Sequence, residues 1–269
     1  MIQAFIIFII ILLGFLVLHL YPTKMTVKEI TLSAMFIVIT LICKRFFSVL
    51  IPLFGVESFK ISIEYIPLMI AGFILSPSIA FFIGLSCDLI GLIIVPTGFP
   101  FFGFTLTMIC VSTIPSIISH SLEHIDEKIV VNLTRILLII IGLLGMIYIN
   151  TLNHFNISDV TITLTHSYKI ILSMIILMMI IFVMIIMKVI STRLQIIELK
   201  EFSLWCISVI LVEGLCTLVL TPLWLSLMYS IPFITSFCIR VIKEVFILPL
   251  ELFVGYIILK TIKKVIKRV

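Results

Sequence analysis

The chain has 269 residues, of which 62% are hydrophobic and 12% are charged, and its mean hydropathy is +1.42. A soluble domain is about half apolar and a quarter charged, so this chain has too little polar surface to cover a water-soluble fold. The composition therefore predicts an all-α polytopic membrane protein, embedded in the lipid bilayer. The net charge of +5 is spread along the chain, so we expect no basic domain that would bind nucleic acid.

Apolar runs recur along the chain at lengths near the ~20 residues that cross a bilayer as a helix. The first run lacks a basic leader and a small-residue cleavage signal, so we expect a retained transmembrane helix rather than a signal peptide. A Ser-Pro boundary separates the third run from the fourth, because proline starts helices and disfavours a helical residue before it. About nine spans are predicted, near residues 2–21, 27–48, 63–76, 77–95, 102–120, 133–151, 168–189, 203–222 and 235–259.

Lysine and arginine positions predict the orientation in the membrane, because cytoplasmic loops carry an excess of both. Placing the linker 24–28 inside also places inside Lys128, Arg135, Lys188, Arg193, Lys200 and the basic tail after residue 259. The loop 152–167, which then lies outside, contains neither lysine nor arginine. We therefore expect the N-terminus outside and the C-terminus in the cytoplasm.

Six cations depart from this bias and lie at or near the predicted outer face: Lys44, Arg45, Lys60, Lys169, Arg240 and Lys243. Outward cations beside apolar walls attract an anionic solute. The alternative is that their long stems let the charges reach the outer headgroups. We expect Lys44 and Lys169 to snorkel in this way, and we keep both interpretations for Arg45 and Arg240.

Small residues and one acid recur on one helical face at Ala80, Gly84, Asp88 and Gly91. Small residues let two helices approach closely in lipid, so this face predicts a packing seam or a binding wall. An intramembrane carboxylate usually pairs internally, which favours a structural hydrogen bond for Asp88 over a ligand contact.

Two aromatic residues, Trp224 and Tyr229, lie near the predicted outer end of the eighth span. They fit the aromatic belt at the headgroups, and they equally fit a wall that stacks on a planar ring. His120 and His124 have the i, i+4 spacing of metal ligands, but no third ligand lies near them. We therefore expect no metal and no cofactor.

Several stretches, read in order, resemble the substrate-binding S component of an energy-coupling factor vitamin transporter, and most of all the folate-specific group. They lie within two blocks, 27–118 and 203–260. The stretches are 34–46, 58–67, 71–91 with its Gly72, Pro77, Gly84, Asp88 and Gly91, 103–106 with the sequence Gly-Phe-Thr-Leu, and 221–251.

The resemblance implies a six-helix bundle with a pocket open to the outside, and a binding protein rather than an enzyme. A transmembrane coupling subunit and two cytoplasmic ATPase subunits would complete the transporter. The predicted domains are an extra helix in 1–22, the first part of the bundle in 23–120, an inserted hairpin with connectors in 121–200, and the last two bundle helices with the basic tail in 201–269. The hairpin could be a lipid-facing appendage or a replacement docking surface, and we expect it to be dispensable for ligand binding.

The resemblance also implies a set of contacts. Folate is a dianion with a fused ring, so cations would meet its carboxylates and aromatic side chains would flank the ring. The predicted substrate-binding residues are Arg45, Lys60, Ser62, Asp88, Phe104, Thr105, Trp224, Tyr229 and Arg240. The pair predicted to contact the coupling subunit is Ala34 and Val38, although valine is larger than the residue that the family places there.

Three alternatives stay open at this stage. The first is an S component for a different vitamin. The second is a membrane enzyme acting on lipid through acids and bases such as Glu213, Glu244, Glu251, His120 and His124, which the predicted orientation places at different depths. The third is a purely structural subunit.

Overall fold

The fold is known from a computed structural model, which describes residues 2–53, 56–94, 100–151, 154–157, 160–163, 166–193 and 196–266. Its elements in chain order are α1 (Ile2–Leu20), α2 (Val27–Phe46), β1 (Ser48–Leu53), β2 (Val56–Ser62), α3 (Tyr65–Ile74), α4 (Pro77–Ile94), α5 (Phe102–Ser121), α6 (Glu127–Thr151), β3 (His154–Ile157), β4 (Val160–Thr163), α7 (His166–Arg193), α8 (Ile196–Val212), a π-helical segment (Glu213–Leu220), α9 (Thr221–Tyr229) and α10 (Phe233–Ile266). Two short hairpins, β1 with β2 and β3 with β4, accompany the helices. The predicted all-α membrane class is confirmed.

Every predicted span coincides with a helix, but not every helix is built to cross a bilayer. Within the described residues, six helices are long and apolar enough, and the bent α10 makes a seventh. α2 has 20 residues but carries charges in its first and last turns. α3 has 10 residues, about 15 Å of helix, which is half of the hydrocarbon thickness. The chain is a multi-pass membrane protein, and up to seven of the nine predicted spans are long and apolar enough to cross the bilayer within the residues that the structure describes.

The chain forms two compact units. The first contains Met1–Ile51, Lys60–Glu123 and Phe253–Val269, and the second contains Pro52–Phe59 and His124–Leu252. α1 to α5 thus lie in the first unit, whereas α6 to α9 and the first part of α10 lie in the second. The helices of the predicted hairpin therefore cluster with α8 and α9 rather than standing apart.

Glycines bring the helices of the first unit into close contact. A Cβ on Gly72 of α3 would collide with the backbone oxygen of Ser112 in α5, and one on Gly84 of α4 would lie 2.6 Å from the backbone oxygen of Met108. At Gly91, a Cβ would meet Lys44 of α2 at 3.5 Å. The face predicted along α4 is therefore a packing seam that contacts α5 and α2.

The helix before the bundle, α1, packs in the same unit. The ring of Phe81 in α4 lies where a Cβ on Gly14 would be. The hydroxyl of Ser78 donates to the backbone oxygen of Tyr21 just after α1 ends. α1 therefore belongs to the packing of α4 and α5.

The second unit has its own apolar core, which α6 and α7 share with α10. Ile149 of α6 and Ile176 of α7 are buried with Phe237 and Val241 of α10. The ring of Tyr148 meets that of Phe237 edge-on, with 4.9 Å between centroids. One face of this hairpin therefore packs on α10, so the hairpin is not an appendage that faces lipid on all sides.

Prolines disturb the backbone of the second unit at two places. α10 bends by 56° between Phe233–Val241 and Phe246–Ile266. The bend lies one turn before Pro249, which has no N–H for the carbonyl four residues earlier and clashes with it. The π-helical segment ends just before Pro222, and the hydroxyl of Thr221 donates to the carbonyl oxygen of Cys216 at 2.6 Å.

Candidate functional site

Asp88 anchors the polar interior of the first unit. Only 3% of the residue is exposed. One carboxylate oxygen accepts a hydrogen bond from the hydroxyl of Thr105 at 2.7 Å, and the other lies 3.4 Å from the ammonium nitrogen of Lys44. The expectation that Lys44 snorkels to the headgroups is wrong, because its charge pairs with this carboxylate. It is also wrong for Lys169, which is buried and donates to the backbone oxygen of Asn150 at 3.0 Å. The contacts favour the structural interpretation of Asp88 and tie α4 to α5 and α2.

The other predicted substrate contacts in this unit differ in their exposure and in their hydrogen-bond partners. Arg45 is exposed in the last turn of α2. The hydroxyl of Ser62 accepts from the backbone N–H of Glu64 at 3.2 Å and so supports the start of α3. Phe104 is half-buried and lies edge-on to Phe101, 5.9 Å between centroids. Lys60 belongs to β2, and its side chain lies outside the described part of the chain.

Three predicted contacts lie in the second unit. Trp224 of α9 is only 6% exposed, so its ring packs against the protein instead of facing the headgroups as in an aromatic belt. Tyr229, at the end of the same helix, is 55% exposed and fits that belt. Arg240 lies in the first part of α10 and is 8% exposed. The two units thus divide the predicted site residues between them.

A carboxylate cluster in the second unit was not predicted. Glu213, Glu244 and Glu251 are 2%, 2% and 1% exposed, and Glu213 lies within electrostatic range of the other two. The expectation that these acids lie at different depths is wrong, because Glu213 comes within reach of both Glu244 and Glu251. One signal was present: Glu244 and Glu251 are seven residues apart and therefore share a helical face with Arg240.

Two cations accompany these acids. The ammonium of Lys243 lies 4.0 Å from a carboxylate oxygen of Glu244, and Arg240 also acts on Glu244 electrostatically. The indole N–H of the fully buried Trp205 donates to the backbone oxygen of Glu251 at 3.2 Å. This last bond holds α8 against α10 beside the cluster.

A cavity of about 60 Å³ opens beside the cluster. Its walls come from α6, α7, the π-helical segment and α10, and they are almost wholly apolar. Glu213 and Glu244 supply the carboxylates in this lining. Gly142, Gly145 and Gly214 leave room in the wall; a Cβ at Gly142 would collide with Ile180.

The described residues contain no group of three or more His, Cys, Asp or Glu side chains arranged to hold a metal ion. The ring nitrogen Nδ1 of His120 lies 3.0 Å from the backbone oxygen of Ser116, one turn earlier in α5. The cysteines are free thiols: Cys43, Cys87, Cys110, Cys206, Cys216 and Cys238.

Comparison with known proteins addresses the fold. No protein-family model matches the chain, and no curated protein sequence matches it. The crystal structure of FolT bound with folic acid is similar, with a TM-score of 0.50 over 88% of this chain and 95% of that chain. The chain has a FolT-like fold. At 18% identity, the likeness is one of fold, and it agrees with the resemblance seen in the sequence.

The FolT-like fold leaves one face of α2 uncovered. Ala34 and Val38, the predicted contact pair for a coupling subunit, are both exposed, one helical turn apart. Ile30 and Ile42 continue this exposed stripe by a turn in each direction. Phe36 and Thr40 are buried on the opposite side. The predicted pair thus lies on a surface that is open to a partner or to lipid.

Proposed function

We propose that the chain is the substrate-capture subunit of an energy-coupling factor transporter and that it binds folate, or a related anionic planar vitamin, from outside the cell. The observation that carries the proposal is the FolT-like fold over 88% of the chain, since the FolT of that structure holds folic acid. The N-terminus lies outside and the C-terminus in the cytoplasm. The chain contributes binding rather than catalysis.

Arg240 is the residue on which the proposal depends most. It is 8% exposed in an apolar helix, and a buried guanidinium in a membrane protein usually serves a ligand or an internal partner. Its planar fork can hold a carboxylate through two hydrogen bonds. Arg45 and Lys60 would add positive charge, and Phe104, Trp224 and Tyr229 would contact the ring.

The remaining predicted contacts shape the binding region. Ser62, Asp88 and Thr105 already make hydrogen bonds within the first unit, and Asp88 also pairs with Lys44. A carboxylate near an anionic vitamin would repel it unless a cation balances the charge. We therefore assign Asp88 and Thr105 the task of fixing α2, α4 and α5 around the ligand.

Uptake requires further subunits, because the sequence contains no phosphate-binding loop for ATP. Ala34 and Val38 are the contacts that we propose for the transmembrane coupling subunit, which two cytoplasmic ATPase subunits would drive. The exposed stripe through these residues gives that subunit an apolar surface.

Binding by the purified protein tests the proposal. The detergent-solubilised full chain is titrated calorimetrically, without ATP, with folic acid, a reduced folate and a panel of other vitamins. We expect one ligand per chain and the tightest binding for a folate. Tight binding of another vitamin alone would assign the subunit to that vitamin, and binding of none would reject the capture function.

A further inference from the structure

The side-chain oxygens of the carboxylate cluster accept no hydrogen bond from the described residues. All six side-chain oxygens of Glu213, Glu244 and Glu251 are buried and make no hydrogen bond within the described residues. A carboxylate only accepts hydrogen bonds, so two of them cannot bond to each other until one is protonated. Glu213 lies close enough to Glu244 and to Glu251 for such a bond once a proton is present.

The charges around the cluster do not balance. The π-helical segment contributes Glu213, and α10 contributes Glu244 and Glu251 with the cations Arg240 and Lys243. The described residues that α6 and α7 place on the cavity are apolar. Among the described groups, three acids against two bases leave one excess negative charge in a water-poor interior, where an unbalanced charge is costly. One proton removes this excess.

The backbone and the cavity suit proton entry. Glu213 begins the π-helical segment, and Glu244 lies within the bend of α10. Irregular backbone of this kind is frequent at functional sites. A water needs about 10–15 Å³ of such space and polar partners, so the cavity of about 60 Å³ has room for a few waters at its two carboxylates. A chain of waters is enough to deliver a proton to Glu213 or Glu244.

We propose that Glu213, Glu244 and Glu251 form a binding site for one proton, and that capture of an anionic ligand by Arg240 drives the proton onto it. The second part rests on the proposed function. Arg240 precedes Glu244 by four residues and lies one helical turn away on the same face. A ligand carboxylate that neutralises Arg240 removes one counter-charge from the cluster, so the affinity of the cluster for a proton rises.

This coupling is reciprocal, as every binding linkage must be. If ligand capture takes up a proton, then lowering the pH tightens ligand binding until the cluster is protonated in the free protein. The anion and the proton are bound as a neutral pair.

Calorimetry in buffers of different ionisation enthalpy counts the protons. For folic acid binding to the full chain near neutral pH, we expect net uptake in the parent protein and loss of that uptake in Glu244→Gln, with ligand binding retained. Glu127→Gln, in the first turn of α6, is the matched control and should keep the parent value. Equal uptake in the parent and in Glu244→Gln would overturn the coupling.

A second measurement needs no ligand. Infrared difference spectra of the free protein between acidic and alkaline pH should show the C=O band of a protonated buried carboxyl, and Glu213→Gln and Glu244→Gln should each remove or shift it. If the band changes as expected while no folate binds, the proton site stands and the proposed function fails. An unchanged band in both variants would overturn the proton site. It would also be overturned if sodium or potassium raised the thermal stability of the parent protein but not of the variants, because the cluster would then bind a metal cation.

Discussion

The two units treat a buried carboxylate in opposite ways. In the first unit, Asp88 accepts from Thr105 and pairs with Lys44, so its charge is balanced where it lies. In the second unit, Glu213, Glu244 and Glu251 share two cations, and their side-chain oxygens have no hydrogen-bond donor among the described residues. Asp88 therefore holds helices together as a balanced ion pair, whereas the three glutamates retain a net negative charge. Removing the first should damage the fold, whereas neutralising one of the others should not.

The largest expected effect is the loss of folate affinity when Arg240 of the second unit is replaced. Arg240→Ala should weaken folate binding by about 2–4 kcal/mol, as for a buried charge partner, which is roughly 30-fold or more. Arg45→Ala should weaken it less, because Arg45 is exposed and its charge is screened. Titration calorimetry measures both, with Arg135→Ala as the control. Similar small losses for Arg240→Ala and Arg135→Ala would show that Arg240 serves only the fold.

The next effect is on the stability of the first unit. Asp88→Ala leaves the ammonium of Lys44 and the hydroxyl of Thr105 without their shared acceptor, so the free energy of unfolding should fall by about 2 kcal/mol. Thermal unfolding in detergent measures the loss. The double variant Asp88→Ala with Lys44→Met should recover part of it, since no unpaired charge then remains. An unchanged midpoint in the single variant would contradict the anchoring role.

Replacing a glutamate of the second unit should change the free energy of unfolding less, and in the stabilising direction. Glu213→Gln removes the excess negative charge and supplies an amide N–H to a neighbouring carboxylate. The free energy of unfolding should stay constant or rise by about 1 kcal/mol, in the range found when buried charges are replaced. The same thermal assay applies. A loss as large as that of Asp88→Ala would mean that the two carboxylate sites are alike after all.

The smallest effect on binding is expected at the surface of α2. Ala34→Trp fills an exposed position and touches neither carboxylate site, so folate affinity should remain at the parent value. Uptake into vesicles that contain the assembled transporter should fall, because the bulky ring obstructs the proposed docking face. Unimpaired uptake would move the docking surface elsewhere.

The sequence predicted the helix positions well, because a run of apolar residues forms a helix in lipid wherever it is placed. It predicted contacts poorly. Lys44 and Asp88 are 44 residues apart, and neither the period of a helix nor its charge reveals which distant helix lies beside it. The seven-residue spacing of Glu244 and Glu251 was a signal of their shared face that the prediction did not use. The approach of Glu213 to these two acids could not be predicted from the sequence, because the π-helical segment and the bend near Pro249 alter the register of both helices.

The indole of Trp205, which donates to the backbone of Glu251, has a consequence for optical measurements. The chain has two tryptophans, Trp205 and Trp224, and both belong to the second unit. Intrinsic fluorescence is therefore a built-in reporter of that unit, beside the carboxylate cluster, and needs no attached dye. Emission recorded during a titration or a temperature ramp follows the second unit, while the first contributes only the weak signal of its tyrosines.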